Sequence, residues 1–161
     1  VPNRFVGRTF ILPSQKQRDR AVALKLNIIP DVVRDQRIVL VEDSIVRGTT
    51  TRSKMRAIRR AGAKEIHLRV SCPPVRHPCF YGIDFATREE LIAHNRTVEQ
   101  IREFLEVDSL AYLSIEGMLS CVKGKPNDYC TACWSGKYKV SVEEPVSKFG
   151  FERDQLKMFS E

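Results

Sequence analysis

The sequence predicts an α/β fold: a parallel sheet with flanking helices, followed by an irregular cysteine-bearing segment. Three observations predict it. Ile38-Val39-Leu40-Val41 is a continuous apolar run of the kind that makes a buried parallel strand. A basic amphipathic segment runs from Thr49 to about Gly62, with Met55, Ile58 and Ala61 on one face. Lys64 to Val70 then alternates, with Ile66, Leu68 and Val70 pointing one way and His67 and Arg69 the other. The order strand, helix, strand implies a right-handed crossover, hence parallel pairing.

The remaining elements follow in chain order. Gly7 to Pro13 reads as a short extended segment stopped by proline, and Ser14 to Leu26 as a polar helix. Ser14 is its N-cap, and Ala21, Val22, Leu24 and Leu26 form a thin apolar stripe. So much charge beside so little apolar surface predicts a weakly packed element. Pro30 to Gln36 is a connector into the strand. Arg52, Arg56, Arg59 and Arg60 read as a solvated face of the helix from Thr49. Ser71 to Asp84 is a loop punctuated by prolines. Thr87 with Glu90 gives a capping-box pattern for a short helix reaching His94, and Thr97 with Gln100 starts another through about Glu106. Leu110 to Leu113 is a short strand, and Ser114 opens a helix to about Val122. Past Lys123 regular periodicity fades; residues 147–161 read as a short amphipathic helix or a frayed tail.

At 161 residues the chain is one domain or a piece of one, and its start at Val1 rather than Met points to a fragment or a processed product. No run approaches a membrane span and nothing at the start reads as a signal peptide, so a cytoplasmic protein is expected. The formal charge of +7 is uneven. Residues 1–26 carry Arg4, Arg8, Lys16, Arg18, Arg20 and Lys25 against Asp19 alone, and residues 47–69 are again basic. Such lobes suit nucleic acid or a small polyanion such as pyrophosphate. With no helix-turn-helix signature, zinc-finger spacing or aromatic platform, the small polyanion is the better reading.

The stretch Glu42-Asp43-Ser44-Ile45-Val46-Arg47-Gly48-Thr49-Thr50 carries the chemistry. A loop that ends at a helix start offers free backbone N–H groups and the positive end of the macrodipole, which hold a phosphate monoester. Gly48 lets the main chain approach it, while Ser44, Thr49 and Thr50 add hydroxyl donors. Adjacent carboxylates at the end of a strand suit sugar hydroxyls or Mg²⁺, since they would repel bare phosphate. Together these features read as a ribose phosphate site. A ligand-free strand, turn and capped helix would share the composition. The acid pair followed at once by Ser-x-x-x-Gly-Thr-Thr argues against it. The stretch is neither a Walker loop nor a Gly-x-Gly-x-x-Gly turn.

Five cysteines without a signal peptide are not expected to form a disulfide framework. Cys130-Thr131-Ala132-Cys133 is a Cys-x-x-Cys pair, compatible with a metal, a redox couple or coincidence. Its position after Gly124-Lys125-Pro126-Asn127-Asp128 lacks the strand and helix context of a thioredoxin-like couple.

The acid pair and its turn resemble the signature of type I phosphoribosyltransferases, and Glu-Asp-Ser-Ile-Val-Arg-Gly-Thr-Thr resembles the amidophosphoribosyltransferase family in particular. The likeness runs from Arg4 to about Tyr138, through the basic segment, residues 77–84, 87–94 and 114–118, and the Cys-x-x-Cys. It implies a type I phosphoribosyltransferase-like domain over residues 1–122, including a flexible loop over 2–26 that folds on bound substrate, and a cluster-binding segment and tail over 123–161. The implied reaction displaces diphosphate from phosphoribosyl diphosphate with glutamine-derived ammonia, giving 5-phosphoribosylamine in the first step of purine synthesis. By this likeness Glu42 and Asp43 hold Mg²⁺ and the ribose hydroxyls; Ser44, Ile45, Val46, Arg47, Gly48 and Thr49 hold the 5-phosphate; Arg8 and Lys25 supply cations to the diphosphate. Pro78-Cys79-Phe80-Tyr81-Gly82 and the Cys130/Cys133 segment resemble stretches of an iron–sulfur subtype, so Cys79, Cys130 and Cys133 are implied ligands of a [4Fe-4S] cluster whose fourth ligand lies outside this chain. Cys72 or Cys121 could substitute for that fourth ligand within this chain, but nothing in their context favours it and both read as free thiols; zinc is the competing metal.

Glu42 stands where the family more often has Asp. An N-terminal glutaminase domain, its partner in the family, and a diphosphate-binding loop are not in this sequence. The isolated chain is therefore expected neither to hydrolyse glutamine nor to turn over with free ammonia. The family resemblance also implies inhibition by purine nucleotides and a homo-oligomer. Two other functions share the signature. A purine-salvage phosphoribosyltransferase would take free bases and has no reason for the cysteines; a non-catalytic phosphoribosyl-diphosphate-binding regulator would bind DNA with a steep salt dependence.

Overall fold

The computed structural model of the chain describes residues 28–83 and 87–140. Arg8, Lys25, the basic segment over 2–26 and the tail over 141–161 lie outside the described residues. The elements are a one-turn helix α1 (Pro30–Val33), strand β1 (Arg37–Glu42), helix α2 (Thr49–Arg60), strand β2 (Glu65–Val70), a 3₁₀ turn (Arg88–Glu90), helix α3 (Val98–Leu105), strand β3 (Ser109–Tyr112), helix α4 (Ile115–Ser120), a second 3₁₀ turn (Pro126–Asp128) and a one-turn helix α5 (Ala132–Ser135). The three strands form one parallel sheet in the order β1-β2-β3, with Glu42 opposite Val70 and Leu68 opposite Leu110.

Alternation along the strands decides which face is covered. Ile66, Leu68 and Val70 of β2 are buried, and Ile38, Leu40, Leu110 and Tyr112 pack beside them against Met55 and Ile58 of α2 and Ile101 and Leu105 of α3. Burial of each such side chain contributes about 1.5–3 kcal/mol. The opposite face is different. Val39 and Val41 are 63% and 68% exposed, so the apolar run that predicts a fully buried strand is buried on one side only among the described residues.

Caps set the helix ends where the sequence places them. Thr97 Oγ1 accepts from Gln100 N–H at 3.2 Å, while Gln100 Oε1 accepts from Thr97 N–H at 2.9 Å. Ser114 Oγ accepts from Gly117 N–H at 3.0 Å. The helix expected from Thr87 to His94 shrinks to the 3₁₀ turn. Leu91, Ile92 and Ala93 are all buried, and three consecutive residues cannot share one helical stripe. The Pro30 to Gln36 connector contains the turn of α1, and the stretch past Lys123 holds α5. No helix among the described residues is long and apolar enough to cross a membrane.

The arginines of α2 also depart from expectation. Arg52 and Arg56 both bind Glu106, and Arg59 binds Asp108 at 2.6 Å, so this face is a charged bracket between α2 and the α3–β3 connection. Arg52 and Arg96 also stand over the Phe104 ring, at 4.6 and 5.3 Å from its centroid.

Candidate functional site

The turn after β1 is held from below and left open above. Ile45 is 1% exposed and plugs the core, which fixes the loop without using its main-chain donors. The Val46 carbonyl accepts from Ile92 N–H at 2.8 Å, so the buried Leu91–Ala93 segment clamps the loop from one side. Glu90 adds a second clamp: its carboxylate accepts from Arg47 at 3.1 Å and from Thr87 N–H at 3.2 Å. Sequence reading missed both clamps, although the Thr87/Glu90 pattern flagged the residue involved.

Gly48 is the N-cap of α2, with φ of 76°. A β-carbon there would stand 2.5 Å from Ile92 Cδ1, so both backbone and space require glycine. A glycine cap also brings no side-chain oxygen to the helix start. The first intrahelical bond is Arg52 N–H to Gly48 O at 2.8 Å, and the N–H groups from Ile45 through Thr51 donate to nothing among the described residues. Thr49 and Thr50 are exposed. A row of unpaired donors at the positive end of a 12-residue helix is an anion site in chemical terms.

The two carboxylates take different surroundings. Asp43 accepts from Ser44 N–H at 2.5 Å, and both residues line a cavity of about 530 Å³. Glu42 lies on the inner face of the sheet, where its carboxylate pairs with Lys54 of α2. Its main-chain carbonyl accepts from Ser71 N–H at 2.9 Å.

The cavity beside Asp43 and Ser44 is also lined by Cys72, Cys79, Cys130 and Cys133, among apolar walls that include Val75 and Trp134. The structure thus brings the three sequence-predicted cysteines to one place and adds Cys72. Cys121 lies apart, its thiol on Gly117 O. Burial pushes the Cys133 thiol up to about 11, helped by the neighbouring Cys79, and burial does the same for Cys72. Among the described residues no three His, Cys, Asp or Glu side chains converge closely enough to hold a metal ion. The lobe is tied by main chain and rings. Arg76 and His77 N–H groups both donate to Cys133 O at 3.0 Å, Tyr138 Oη donates to Pro78 O at 2.7 Å, and the Phe80 ring packs against Tyr138 at a tilt of 52°.

No protein-family model matches the chain. It is 52% identical over 148 residues to an amidophosphoribosyltransferase of Synechocystis sp., covering 92% of this chain and 30% of that protein. It is 51% identical over 149 residues to one of Methanothermobacter thermautotrophicus, covering 92% of this chain and 31% of that protein. Among solved structures it resembles the glutamine phosphoribosylpyrophosphate amidotransferase of B. subtilis complexed with ADP and GMP. That match has a TM-score of 0.74 and 47% identity, over 89% of this chain and 32% of that one. The chain spans about a third of the length of these relatives. Sheet, turn and sequence together make it a segment of the amidophosphoribosyltransferase family.

Proposed function

We propose that this chain is the phosphoribosyl-binding part of an enzyme that joins ammonia, drawn from glutamine, to C1 of phosphoribosyl diphosphate, releasing diphosphate and 5-phosphoribosylamine in the first step of purine synthesis. The observation that carries the reading is the open turn: N–H groups from Ile45 to Thr51, unpaired among the described residues, at the start of α2 and directly after the acid pair. In this reading those N–H groups with Ser44, Val46, Arg47, Gly48 and Thr49 wrap the 5-phosphate. Asp43 and Glu42 take the ribose hydroxyls, and their negative charge steadies the electron-poor sugar as its C1–O bond breaks. Arg8 and Lys25 neutralise the departing diphosphate, and closure of their segment keeps water from competing with ammonia.

Mg²⁺, when bound, would spread the charge of the leaving group. The donor set fits such an ion: Mg²⁺ is commonly held by one or two carboxylates plus substrate oxygens, and needs no all-protein cage. A [4Fe-4S] cluster would be held by Cys79, Cys130 and Cys133, with a fourth thiolate outside this chain. Its fit is supported by thiols gathered on one largely apolar cavity, and its chemistry here would be a cross-link pinning residues 123–140 to the domain. The glutaminase domain, a homo-oligomer, purine-nucleotide inhibition and a cytoplasmic setting belong to the same proposal. The B. subtilis relative with ADP and GMP bound favours the nucleotides.

The test uses the full-length natural chain with phosphoribosyl diphosphate, Mg²⁺ and ammonia, followed by diphosphate release. Turnover with ammonia is expected. Turnover with free purine bases instead would replace the reading with a salvage enzyme. Anaerobic absorption and iron content examine the cluster separately, and a colourless zinc-loaded protein would remove it.

A further inference from the structure

The ion pair between Glu42 and Lys54 joins the two halves of the site. Glu42 closes β1 on the face turned toward α2, and Lys54 comes from the second turn of α2. Both side chains are mostly shielded, at 18% and 22% exposed. A lysine ammonium is strongly hydrated and its stem flexible, so holding it in such a place needs a partner, and Glu42 Oε1 is that partner. The other oxygen, Oε2, accepts no hydrogen bond from a described group, although a carboxylate has acceptor capacity on both. The main chain of Glu42 is fixed independently, by Ser71 N–H at 2.9 Å and Ser71 Oγ at 3.2 Å.

The same helix that carries Lys54 carries the unpaired N–H groups at its first turn. A cation on α2 that grips the acid ending β1 therefore fixes the spacing between an anion site and a hydroxyl-binding carboxylate. We propose that Lys54 is a positioning residue: by holding one oxygen of Glu42 it presents the other to the sugar hydroxyls, at a set distance from the phosphate cradle. The pair would then select a pentose phosphate over phosphate alone. This inference rests on the phosphoribosyl reading above.

Ribose 5-phosphate and inorganic phosphate separate the two halves of the site. Binding of each to the full-length natural chain is measured by calorimetry for the wild type, Lys54→Met and Lys54→Arg. Lys54→Met is expected to weaken ribose 5-phosphate about tenfold and leave inorganic phosphate within about twofold. Lys54→Arg, which keeps the charge, should recover much of the loss. In a cycle with Glu42→Ala, the two substitutions together should cost no more than Glu42→Ala alone. Equal loss of both ligands, or a lowered thermal midpoint with both affinities unchanged, would show an ion pair of structure only and overturn the inference while leaving the phosphoribosyl reading intact. A wild type that binds neither phosphoribosyl diphosphate nor ribose 5-phosphate takes both down. Should Lys54→Met not fold, Lys54→Arg and Glu42→Gln carry the same comparison.

Discussion

The turn from Asp43 to Thr51 meets the cysteine lobe at one cavity, which it lines through Asp43 and Ser44, but the two are assembled in opposite ways. The turn is contiguous in sequence, its anchor Ile45 is buried, and its donors are main-chain N–H groups that a helix start leaves unpaired whether or not a ligand is present. Nothing needs to move to make it. The lobe draws its thiols from two separate stretches, Cys72 and Cys79 from the loop after β2 and Cys130 and Cys133 from around α5, and those thiols share a cavity without converging on a point. Its donors become useful only as thiolates, and burial beside other thiols opposes that ionisation, as the value of about 11 for Cys133 reflects. A site of backbone dipoles can therefore be preformed, whereas a site of buried thiols gains its geometry from the cation that displaces their protons.

Gly48→Ala is the strongest way to break this contrast. A left-handed backbone costs a residue with a β-carbon about 1–2 kcal/mol. Overpacking adds about 1–3 kcal/mol, because the new carbon would stand 2.5 Å from Ile92 and 3.3 Å from the Phe104 ring. Urea unfolding of the full-length chain should show a loss in that combined range, and phosphoribosyl diphosphate affinity should fall about 100-fold or more. Wild-type affinity in this variant would remove the turn as the cradle. Cys133→Ser comes next. It is expected to abolish iron binding and speed proteolysis within residues 123–140, while phosphoribosyl diphosphate affinity stays within about threefold. A large loss of affinity instead would mean the lobe and the turn are one site. Gly136→Ala should act more mildly. Its φ is 72° and a β-carbon would meet the His77 ring at 2.9 Å, but a ring can swing aside, so about 1–2 kcal/mol of stability is expected without loss of phosphate binding.

How much of this was readable beforehand follows the same division. The apolar run before Glu42, the alternation from Glu65 to Val70 and the caps at Thr97 and Ser114 are local patterns, and each stands where its sequence puts it. Local pattern, however, reports apolar character and not what lies opposite. That is why Val39 and Val41 look buried in the string and lie exposed on the sheet. Charges mislead for a related reason. Arg52 meets Glu106 across 54 residues of chain, and Lys54 meets Glu42 across 12, so nothing near either residue distinguishes it from a solvated cation. The meeting of Asp43 and Ser44 with the thiols in one cavity was likewise invisible, since only the tertiary fold brings those loops together.

The arginine bracket gives the smallest effect and tests whether the cradle's helix is tied to its neighbour by charge. Arg56 donates to Glu106 at 2.9 and 2.5 Å and Arg52 at 2.8 Å. These bonds, Arg56 first, hold the Glu106 carboxyl down to about 2, against an ordinary 4.5. Because the folded value is the lower one, the stabilisation is complete above about 4.5 and is lost as the pH falls toward 2. Glu106→Gln, which keeps the shape and the left-handed backbone at this position, removes that contribution. The wild type should therefore exceed the variant by a small, constant margin at neutral pH that shrinks to nothing in acid. The pairs are exposed, so added salt should narrow the margin at any pH. A margin that widens on acidification would mean that the carboxylate is not held by the arginines. The helix that carries the cradle would then be tied to the α3–β3 connection by Arg59 and Asp108 alone, beside its apolar face.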